Sequence, residues 1–303
     1  MKWRYRFLQF VFNLRDWLVA EAIFLSLKAM RLLPMESTGR FLERMARWIG
    51  PKTGRHKIAM DNLAIAFPEK SIEEREQIAN DSWAHIARGI LEYGYLDEIF
   101  DLDENNLGAG RIEVKNVEQF IKLRDDGLPA IIFTGHLANF ELLPITAEKF
   151  GLEIQSLFRA PNNKYAAKKI AQARKQVAGN LVASGQGASF QLMSALEKGV
   201  HVGVLVDQKF KRGINIPFFG KDAPTNTLLA KLARRYECPV HGARSIRLPN
   251  GRFLLEITDE IELPRTEKGD IDIYGTTELI TGVIEDWVRE YPEQWLWIHR
   301  RWG

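Results

Sequence analysis

Pro129-Ala-Ile-Ile-Phe-Thr134 is an apolar run that leads directly into Gly135 and His136. A short run rich in β-branched and aromatic residues is typical of a buried strand, and glycine permits a sharp turn at its end. A helical pattern then covers residues 137–150. In open α/β sheets, binding sites form outside the carboxyl ends of the strands. The stretch therefore predicts a strand, a turn and a helix, with His136 at the functional edge of a sheet.

The alternation of apolar runs and helical patterns continues through the C-terminal part of the chain. A second apolar run covers residues 200–206, and helical periodicity covers 165–177. Residues 1–107 have helical patterns, with a capping-box sequence at Ser71-x-x-Glu74. We therefore predict an α/β fold in which a mixed central sheet is flanked by helices and preceded by a helical N-terminal portion.

Composition limits the classes of protein to consider. The chain has 303 residues, of which 46% are hydrophobic and 27% charged, so a folded globular protein is expected and disorder is excluded. The net charge of +3 is small, and any electrostatic function must come from local clusters of charge. Cys238 is the only cysteine, which excludes an internal disulfide and a multi-cysteine zinc site.

Residues 1–30 are predicted to form a membrane-associating helix. Charged residues interrupt this segment before it reaches the roughly eighteen apolar residues of a spanning helix. Apolar side chains fall on one helical face and polar ones on another, after a basic start, as in helices that lie in a membrane interface. Packing on the protein's own core is the alternative. The apolar face comprises Phe7, Phe10, Val11, Leu14 and Leu18.

His136 and Glu141 are the candidate catalytic residues. Five residues along an ideal helix correspond to about 140° of rotation, so the two side chains cannot share one helical face. The pair requires His136 on the loop and Glu141 in the first turn or two of the helix. Glu141 would then accept a hydrogen bond from one ring nitrogen and raise the basicity of the other. Such a base removes a proton from a hydroxyl that attacks a carbonyl. A serine nucleophile is not indicated, since the chain has no Gly-x-Ser-x-Gly elbow.

The motif Gly135-His-Leu-Ala-Asn-Phe-Glu141 resembles the signature of the lysophospholipid-acyltransferase-like superfamily. Over most of its length the chain also resembles one branch, the bacterial lipid A late acyltransferases, which are lauroyl and myristoyl transferases. The order of the matching segments is more specific than any one of them. These segments are residues 62–68, 135–141, 158–163, 204–208, 216–220 and 292–302.

The resemblance implies a function for residues 31–303, which we predict to be one acyltransferase domain, helical over 31–107 and α/β over 108–303. It implies that His136 is the general base and Glu141 its orienting group. The implied donor is an acyl chain on acyl carrier protein. The implied acceptor is a hydroxyl of a Kdo-bearing lipid A precursor at the cytoplasmic face of the bacterial inner membrane. The resemblance implies no metal, no cofactor and no covalent acyl-enzyme.

A basic zone lies between Glu153 and Glu197, where the chain has no acidic residue. The acceptor would carry phosphates and carboxylates, and a planar guanidinium suits both, so Arg159 and Arg174 are the preferred ligands. Asn162 in the matched segment 158–163 is a further candidate. The lysines at 164, 168 and 169 have two interpretations, a face for acyl carrier protein or anionic lipid and a merely solvated face. Nucleic acid is not expected as a partner, because aromatics do not alternate with the basic residues.

Asp207 ends the apolar run 200–206, again at the carboxyl end of a predicted strand. It is interpreted as a second polar wall of the site, as a partner of Arg159, or as a cap. Residues 214–220 are interpreted as an apolar loop that lines an acyl pocket, touches the membrane or packs on the core.

Two other functions remain open at this stage. One is acyl transfer to another lipid, such as a mannosylated phosphoinositide or a lysophospholipid. The other is a non-catalytic protein that binds anionic membranes through its first helix and basic zone.

Overall fold

The computed structural model describes residues 2–101, 110–158, 163–177 and 180–303. Within these ranges the chain forms eleven α-helices and nine strands. The helices are α1 Lys2–Met30, α2 Met35–Ile49, α3 Gly54–Ala66, α4 Ile72–Glu92, α5 Leu96–Ile99, α6 Val117–Asp125, α7 Leu142–Lys149, α8 Lys164–Val177, α9 Ala188–Glu197, α10 Leu228–Tyr236 and α11 Ile273–Glu290. The strands are β1 Ile112–Lys115, β2 Ile131–Thr134, β3 Ile154–Phe158, β4 Asn180–Ala183, β5 His201–Leu205, β6 Ile214–Phe218, β7 Lys221–Thr225, β8 Val240–Arg247 and β9 Phe253–Ile257.

Seven of these strands form one sheet in the order β1-β9-β8-β2-β5-β3-β4. The strands from β8 to β4 in this order are all parallel neighbours. β9 runs antiparallel to β8, and β1 pairs with β9 in parallel. The sheet is therefore mixed, and the predicted α/β class with a mixed central sheet is confirmed.

β2 and β5 lie side by side near the middle of the sheet. The side chains of Ile131 and Phe133 in β2, and of Val202 in β5, are fully buried, which explains why both segments have continuous apolar sequences. In the parallel register Thr134 pairs with Leu205, the last residue of each strand. The residues that follow the two strands therefore meet at one edge of the sheet.

The helical N-terminal portion is also present. Ser71 Oγ accepts from the Glu74 amide at 3.1 Å, and the Glu74 carboxylate accepts from the Ser71 amide at 2.7 Å, which is the predicted capping box at the start of α4. Within the part of the chain that the structure describes, no helix is both long and apolar enough to cross a bilayer. α1 packs along α8, where Lys169 Nζ lies 2.7 Å from the Glu21 carboxylate.

Residues 214–220 are not a loop. They form strand β6 and the turn of an antiparallel β6–β7 hairpin. Phe218 and Phe219 are buried against the tryptophans of the C-terminal segment, and Phe218 stacks on Trp302 with ring centroids 5.4 Å apart. Of the three interpretations of this segment, core packing is therefore the one that the structure favours. Arg301 is buried as well and donates to the Pro224 carbonyl at 3.0 Å, which docks the C-terminus on β7.

Candidate active site

His136 and Asp207 each lie two residues beyond the end of a strand, His136 after β2 and Asp207 after β5. The register that pairs Thr134 with Leu205 brings them into contact. His136 Nδ1 lies 2.7 Å from Asp207 Oδ1, and the backbone N–H of His136 donates to Asp207 Oδ2 at 2.7 Å. A carboxylate can only accept, so Nδ1 carries a proton, and in the neutral form of the ring Nε2 holds the electron pair.

Asp207 is buried and held by several donors at once. Trp295 Nε1 donates to Oδ2 at 2.8 Å, in addition to the two contacts from His136. Burial raises the pKa of Asp207, but the charge and hydrogen bonds of His136 and the bond from Trp295 outweigh it and lower the pKa to about 2. The side chain is therefore a fixed carboxylate at every physiological pH.

Gly135 is required for a close approach between chain segments. A Cβ at this position would lie 3.0 Å from Leu137 Cδ1 and 3.3 Å from Asp207 Oδ2. The left-handed residue of the turn is Ala138, with a φ of 44°. The sharp turn predicted at the glycine thus occurs three residues later, and Gly135 instead leaves room for the carboxylate.

The helix predicted over residues 137–150 begins only at Leu142. Leu137 forms a β-bridge with Trp295, and the Ala138 amide donates to the Gln294 carbonyl at 2.9 Å. These contacts with the C-terminal segment hold residues 137–141 in a loop, since the left-handed backbone of Ala138 cannot belong to a right-handed helix. His136 consequently lies on a loop, and Glu141 is the residue before the first turn of α7.

The second ring nitrogen of His136 has its own partner. Gln208 Nε2 lies 3.0 Å from His136 Nε2, and because an amide nitrogen can only donate, His136 Nε2 is the acceptor. The Phe140 ring contacts the imidazole edge-on, with centroids 5.0 Å apart. Nε2 is thus the acceptor position of the ring, and its partner in the structure is the Gln208 amide.

Glu141 is buried, 9% exposed, and lines the same cavity as His136. The sequence interpretation made it the acceptor for one ring nitrogen. In the structure Asp207 takes the Nδ1 proton and Gln208 contacts Nε2. A direct role of Glu141 on His136 stays a prediction.

Two cavities meet at Phe140 and Glu141. The larger, of about 460 Å³, is a groove that opens over His136 between α1, α4 and α8. The smaller, of about 120 Å³, lies between α7 and the sheet and is almost entirely apolar. The groove is lined among others by Ile23, Phe24, Leu27, His85, His136 and Ile170. The apolar cavity is lined among others by Ile132, Leu143, Ala147, Ile154, Leu205 and Leu255.

A buried ion network supports the loop from below. Asn139 Nδ2 donates to Glu92 Oε2 at 3.1 Å, and Glu92 is fully buried. Arg247 Nη2 donates to the same oxygen at 2.8 Å, and Arg88 Nε lies 3.3 Å from the other oxygen. Sequence reasoning missed this network, since Arg88 and Glu92 have the four-residue spacing of an ordinary surface pair on a helix.

The remaining predicted residues can be placed only in part. Arg159 and Asn162 lie outside the described residues, and Arg174 lies in α8 with a side chain that is also outside the description.

Burial raises the pKa of Cys238 to about 11, which makes this thiol a poor nucleophile. Within the described ranges, no group of three or more His, Cys, Asp or Glu side chains is arranged to hold a metal ion.

A family profile described as bacterial lipid A biosynthesis acyltransferase matches residues 4–303. The chain belongs to this family. It is 26% identical over 264 residues to the lipid A biosynthesis palmitoleoyltransferase of Escherichia coli K12, across 82% of this chain and 78% of the relative. It is 22% identical over 275 residues to a lipid A biosynthesis acyltransferase of Haemophilus influenzae, across 89% of this chain and 82% of the relative. The resemblance inferred from the motifs is confirmed.

The site of this lipid A acyltransferase unites sequence segments that lie far apart in the chain. Segment 135–141 supplies His136, segment 204–208 supplies Asp207 and Gln208, and segment 292–302 supplies Trp295. Three of the six matched segments therefore converge on one histidine, although their positions in the sequence do not reveal it.

Proposed function

We propose that this acyltransferase moves a fatty acyl chain from acyl carrier protein to a hydroxyl of a Kdo-bearing lipid A precursor, at the cytoplasmic face of the bacterial inner membrane. Acyl transfer in lipid A biosynthesis follows from the family. The observation that carries the mechanism is the 2.7 Å contact between His136 Nδ1 and Asp207 Oδ1. It supports an imidazole that is held with a proton on Nδ1, so that Nε2 faces the groove and can serve as the base.

In the proposed reaction His136 Nε2 takes the proton of the acceptor hydroxyl as its oxygen attacks the thioester carbonyl. A new C–O bond forms, and the tetrahedral intermediate then breaks its C–S bond. The leaving thiolate takes the proton back from Nε2, which yields an ester and a free thiol. Asp207 stabilises the transient imidazolium by charge, as the buried aspartate of a hydrolase triad does.

Gln208 has two parts in this scheme. In the structure its amide donates to His136 Nε2. We propose that the acceptor hydroxyl takes that place and that the displaced amide turns toward the reacting carbonyl. Its N–H then donates to the developing oxyanion, the kind of interaction that contributes most to acyl transfer.

The two cavities suit the two substrates. The apolar cavity beneath Phe140 matches the chemistry of an acyl chain, since its walls are almost entirely apolar. The groove along α1 is larger and holds His136, so we assign the acceptor lipid to it. Glu141 lines both cavities where they meet, and we propose that its carboxylate supports the positive charge that forms on His136.

The acceptor's phosphates and carboxylates are proposed to bind Arg159, Asn162 and Arg174. Support comes from the sequence, because planar guanidinium groups bind such anions through two parallel hydrogen bonds. Lys169 is a weaker candidate for a carrier-protein contact than the sequence indicated, since it pairs with Glu21 of α1.

Residues 1–30 are proposed to hold the enzyme on the bilayer surface, and residues 31–303 to form the acyltransferase domain. Phe10, Phe12 and Leu25 on different sides of α1 are exposed by 53–69%. Exposed apolar side chains around a helix are costly in water and suit a lipid interface. Because Phe24 and Leu27 of the same helix line the groove, the acceptor lipid would reach His136 along α1.

Mass spectrometry of lipid A from cells with and without the gene tests this function directly. We expect one secondary acyl chain to be lost without the gene and restored by the wild-type protein but not by His136→Ala. Unchanged lipid A, with transfer by the purified protein to a lysophospholipid or another glycolipid, would assign the enzyme to a different acceptor. Vesicle binding without transfer to any lipid would indicate a non-catalytic membrane protein.

A further inference from the structure

The outer face of α2 carries two parallel stripes of side chains. Phe41, Met45 and Trp48 form an apolar stripe at the spacing of one helical face, and they are 60%, 38% and 67% exposed. Beside it, at the same spacing, is a stripe of arginines. These are Arg40, Arg44 and Arg47, all of which are exposed.

The inner face of α2 is fixed against α4. Gly39 is buried where the Arg88 side chain crosses the helix, and Arg88 Nη2 donates to Glu36 at 2.5 Å. Arg88 Nη1 also lies 3.6 Å from Glu43 Oε1. The Arg88 guanidinium therefore balances the charges of Glu36 and Glu43, the two carboxylates of α2. The helix therefore cannot rotate to bury Phe41 and Trp48, and its outer face carries the two stripes with the neutral Ser37 at its start.

This face continues toward α1. Leu32 and Leu33, in the segment that joins the two helices, are 87% and 56% exposed. At the far end of α2, Lys52 Nζ lies 3.6 Å above the centre of the Trp48 ring. A cation beside an exposed tryptophan is typical of the headgroup region, where the ring meets lipid and the ammonium meets phosphate.

We propose that residues 32–33 and the outer face of α2 form a second membrane-docking surface that binds anionic bilayers, separate from α1. An apolar stripe flanked by arginines is the composition of helices that lie in the interface. Arg47 pairs with Asp81, whereas Arg40 and Arg44 lack an ion-pair partner within the described ranges and are available to lipid phosphates. This inference concerns binding alone and does not depend on the reaction that His136 performs.

Two docking points separated along the chain would fix the orientation of the enzyme. α1 alone would allow the protein to roll about the helix axis, while α2 as a second contact prevents this rotation. The groove residues Phe24 and Leu27 would then face the bilayer in one defined position. The second surface thus positions the site relative to the lipid acceptor.

The test measures partition of the full-length protein onto vesicles, with phosphatidylglycerol-containing and pure phosphatidylcholine membranes compared. We expect the double variant Phe41→Ser/Trp48→Ser to reduce the partition coefficient about tenfold on both. We expect Arg40→Gln/Arg44→Gln to reduce it on anionic vesicles only, and less so at high salt. Phe190→Ser is the matched control, because Phe190 on α9 is 72% exposed and far from α2 in sequence.

The binding free energies of α1 and α2 add, so each surface multiplies the partition coefficient. A loss of binding at α2 is therefore measurable in variants that retain α1. Partition of Phe41→Ser/Trp48→Ser equal to that of Phe190→Ser would overturn the proposal. Unchanged vesicle binding with weaker binding of acyl carrier protein would also overturn it and would make α2 a protein-docking surface. Thermal unfolding and transfer to a detergent-dispersed acceptor should be unchanged, so the result is independent of the proposed function.

Discussion

His136 and Asp207 are 71 residues apart in sequence, yet their Nδ1 and Oδ1 atoms lie 2.7 Å apart because β2 and β5 are parallel neighbours in register. Asp207 also accepts from the His136 backbone amide, so it fixes both the ring and the loop that carries it. The carboxylate and the imidazole therefore behave as one unit, with the free electron pair on Nε2 directed at the groove.

The first prediction concerns the base itself. His136→Ala removes the group that accepts the hydroxyl proton, and we expect turnover to fall by about 100- to 10,000-fold or more. Circular dichroism should match the wild type, while thermal unfolding should begin at a lower temperature, since the buried Asp207 carboxylate loses the imidazole and keeps only the His136 backbone amide and Trp295. A well-folded variant with near-normal turnover would contradict the proposed mechanism.

Asp207→Asn is expected to be more damaging than Glu141→Gln. An amide at position 207 can donate to Nδ1, which stabilises the wrong tautomer and moves the proton to Nε2; an equivalent change in a serine protease lowers kcat about 10,000-fold. Glu141→Gln leaves the contact between Asp207 and His136 intact and should be milder. Steady-state kcat values for both purified variants test this order. The reverse order would make Glu141 the principal partner of His136.

The sequence allowed His136 to be found but not its partner. A strand, a glycine and a histidine are local features, and residues 129–136 contain all of them. The strand before Asp207 is equally recognisable from the sequence, but the order of the strands in the sheet is not. Three interpretations of Asp207 stayed open because only the adjacency of β2 and β5 brings it to His136.

Long-range contacts also account for the errors in local structure. The sequence of residues 137–141 is compatible with helix, but bridging to Trp295 and Gln294 keeps the segment in a loop. Residues 214–220 look like a loop because they contain Pro217 and Gly220, and the strand is stabilised by a partner strand and C-terminal tryptophans. In both cases packing overrode the local preference.

A third prediction addresses the apolar cavity. Ala147 on α7 is buried and lines it, so Ala147→Leu would fill part of the space available to an acyl chain. We expect the variant to prefer a donor shorter by two to four carbons, at a stability cost of about 1–3 kcal/mol for overpacking. Competition between acyl carrier proteins that carry acyl chains of different lengths measures the preference. An unchanged preference at normal turnover would place the acyl chain elsewhere.

A fourth prediction concerns α1. Deletion of residues 1–30 removes most of the exposed apolar surface at the N-terminus, and the truncated protein should shift from the membrane to the soluble fraction. The sequence also allows residues 214–220 to touch the membrane, but Phe218 and Phe219 are buried in the core. Membrane sedimentation equal to that of the full chain would therefore leave the surface of α2 as the stronger anchor.

The last prediction concerns His85, which lines the groove together with His136 and whose Nδ1 is buried without a hydrogen-bond partner within the described structure. Burial, and next the positive charge of Arg247, lower its pKa to about 4, while the charge of Asp81 opposes this shift. The unfolded chain binds this proton near pH 6.5 and the folded protein only near pH 4. The free energy of unfolding therefore falls as the pH is lowered through this window, by at most about 1.4 kcal/mol per pH unit, and is unaffected above it.

His85→Phe removes the titrating group, so the stability of this variant relative to the wild type should rise as the pH is lowered from 6.5 to 4.5. Urea unfolding of both proteins at several pH values measures the difference. Stability curves that stay parallel across this range would show that His85 is protonated as easily in the folded protein as in the unfolded chain.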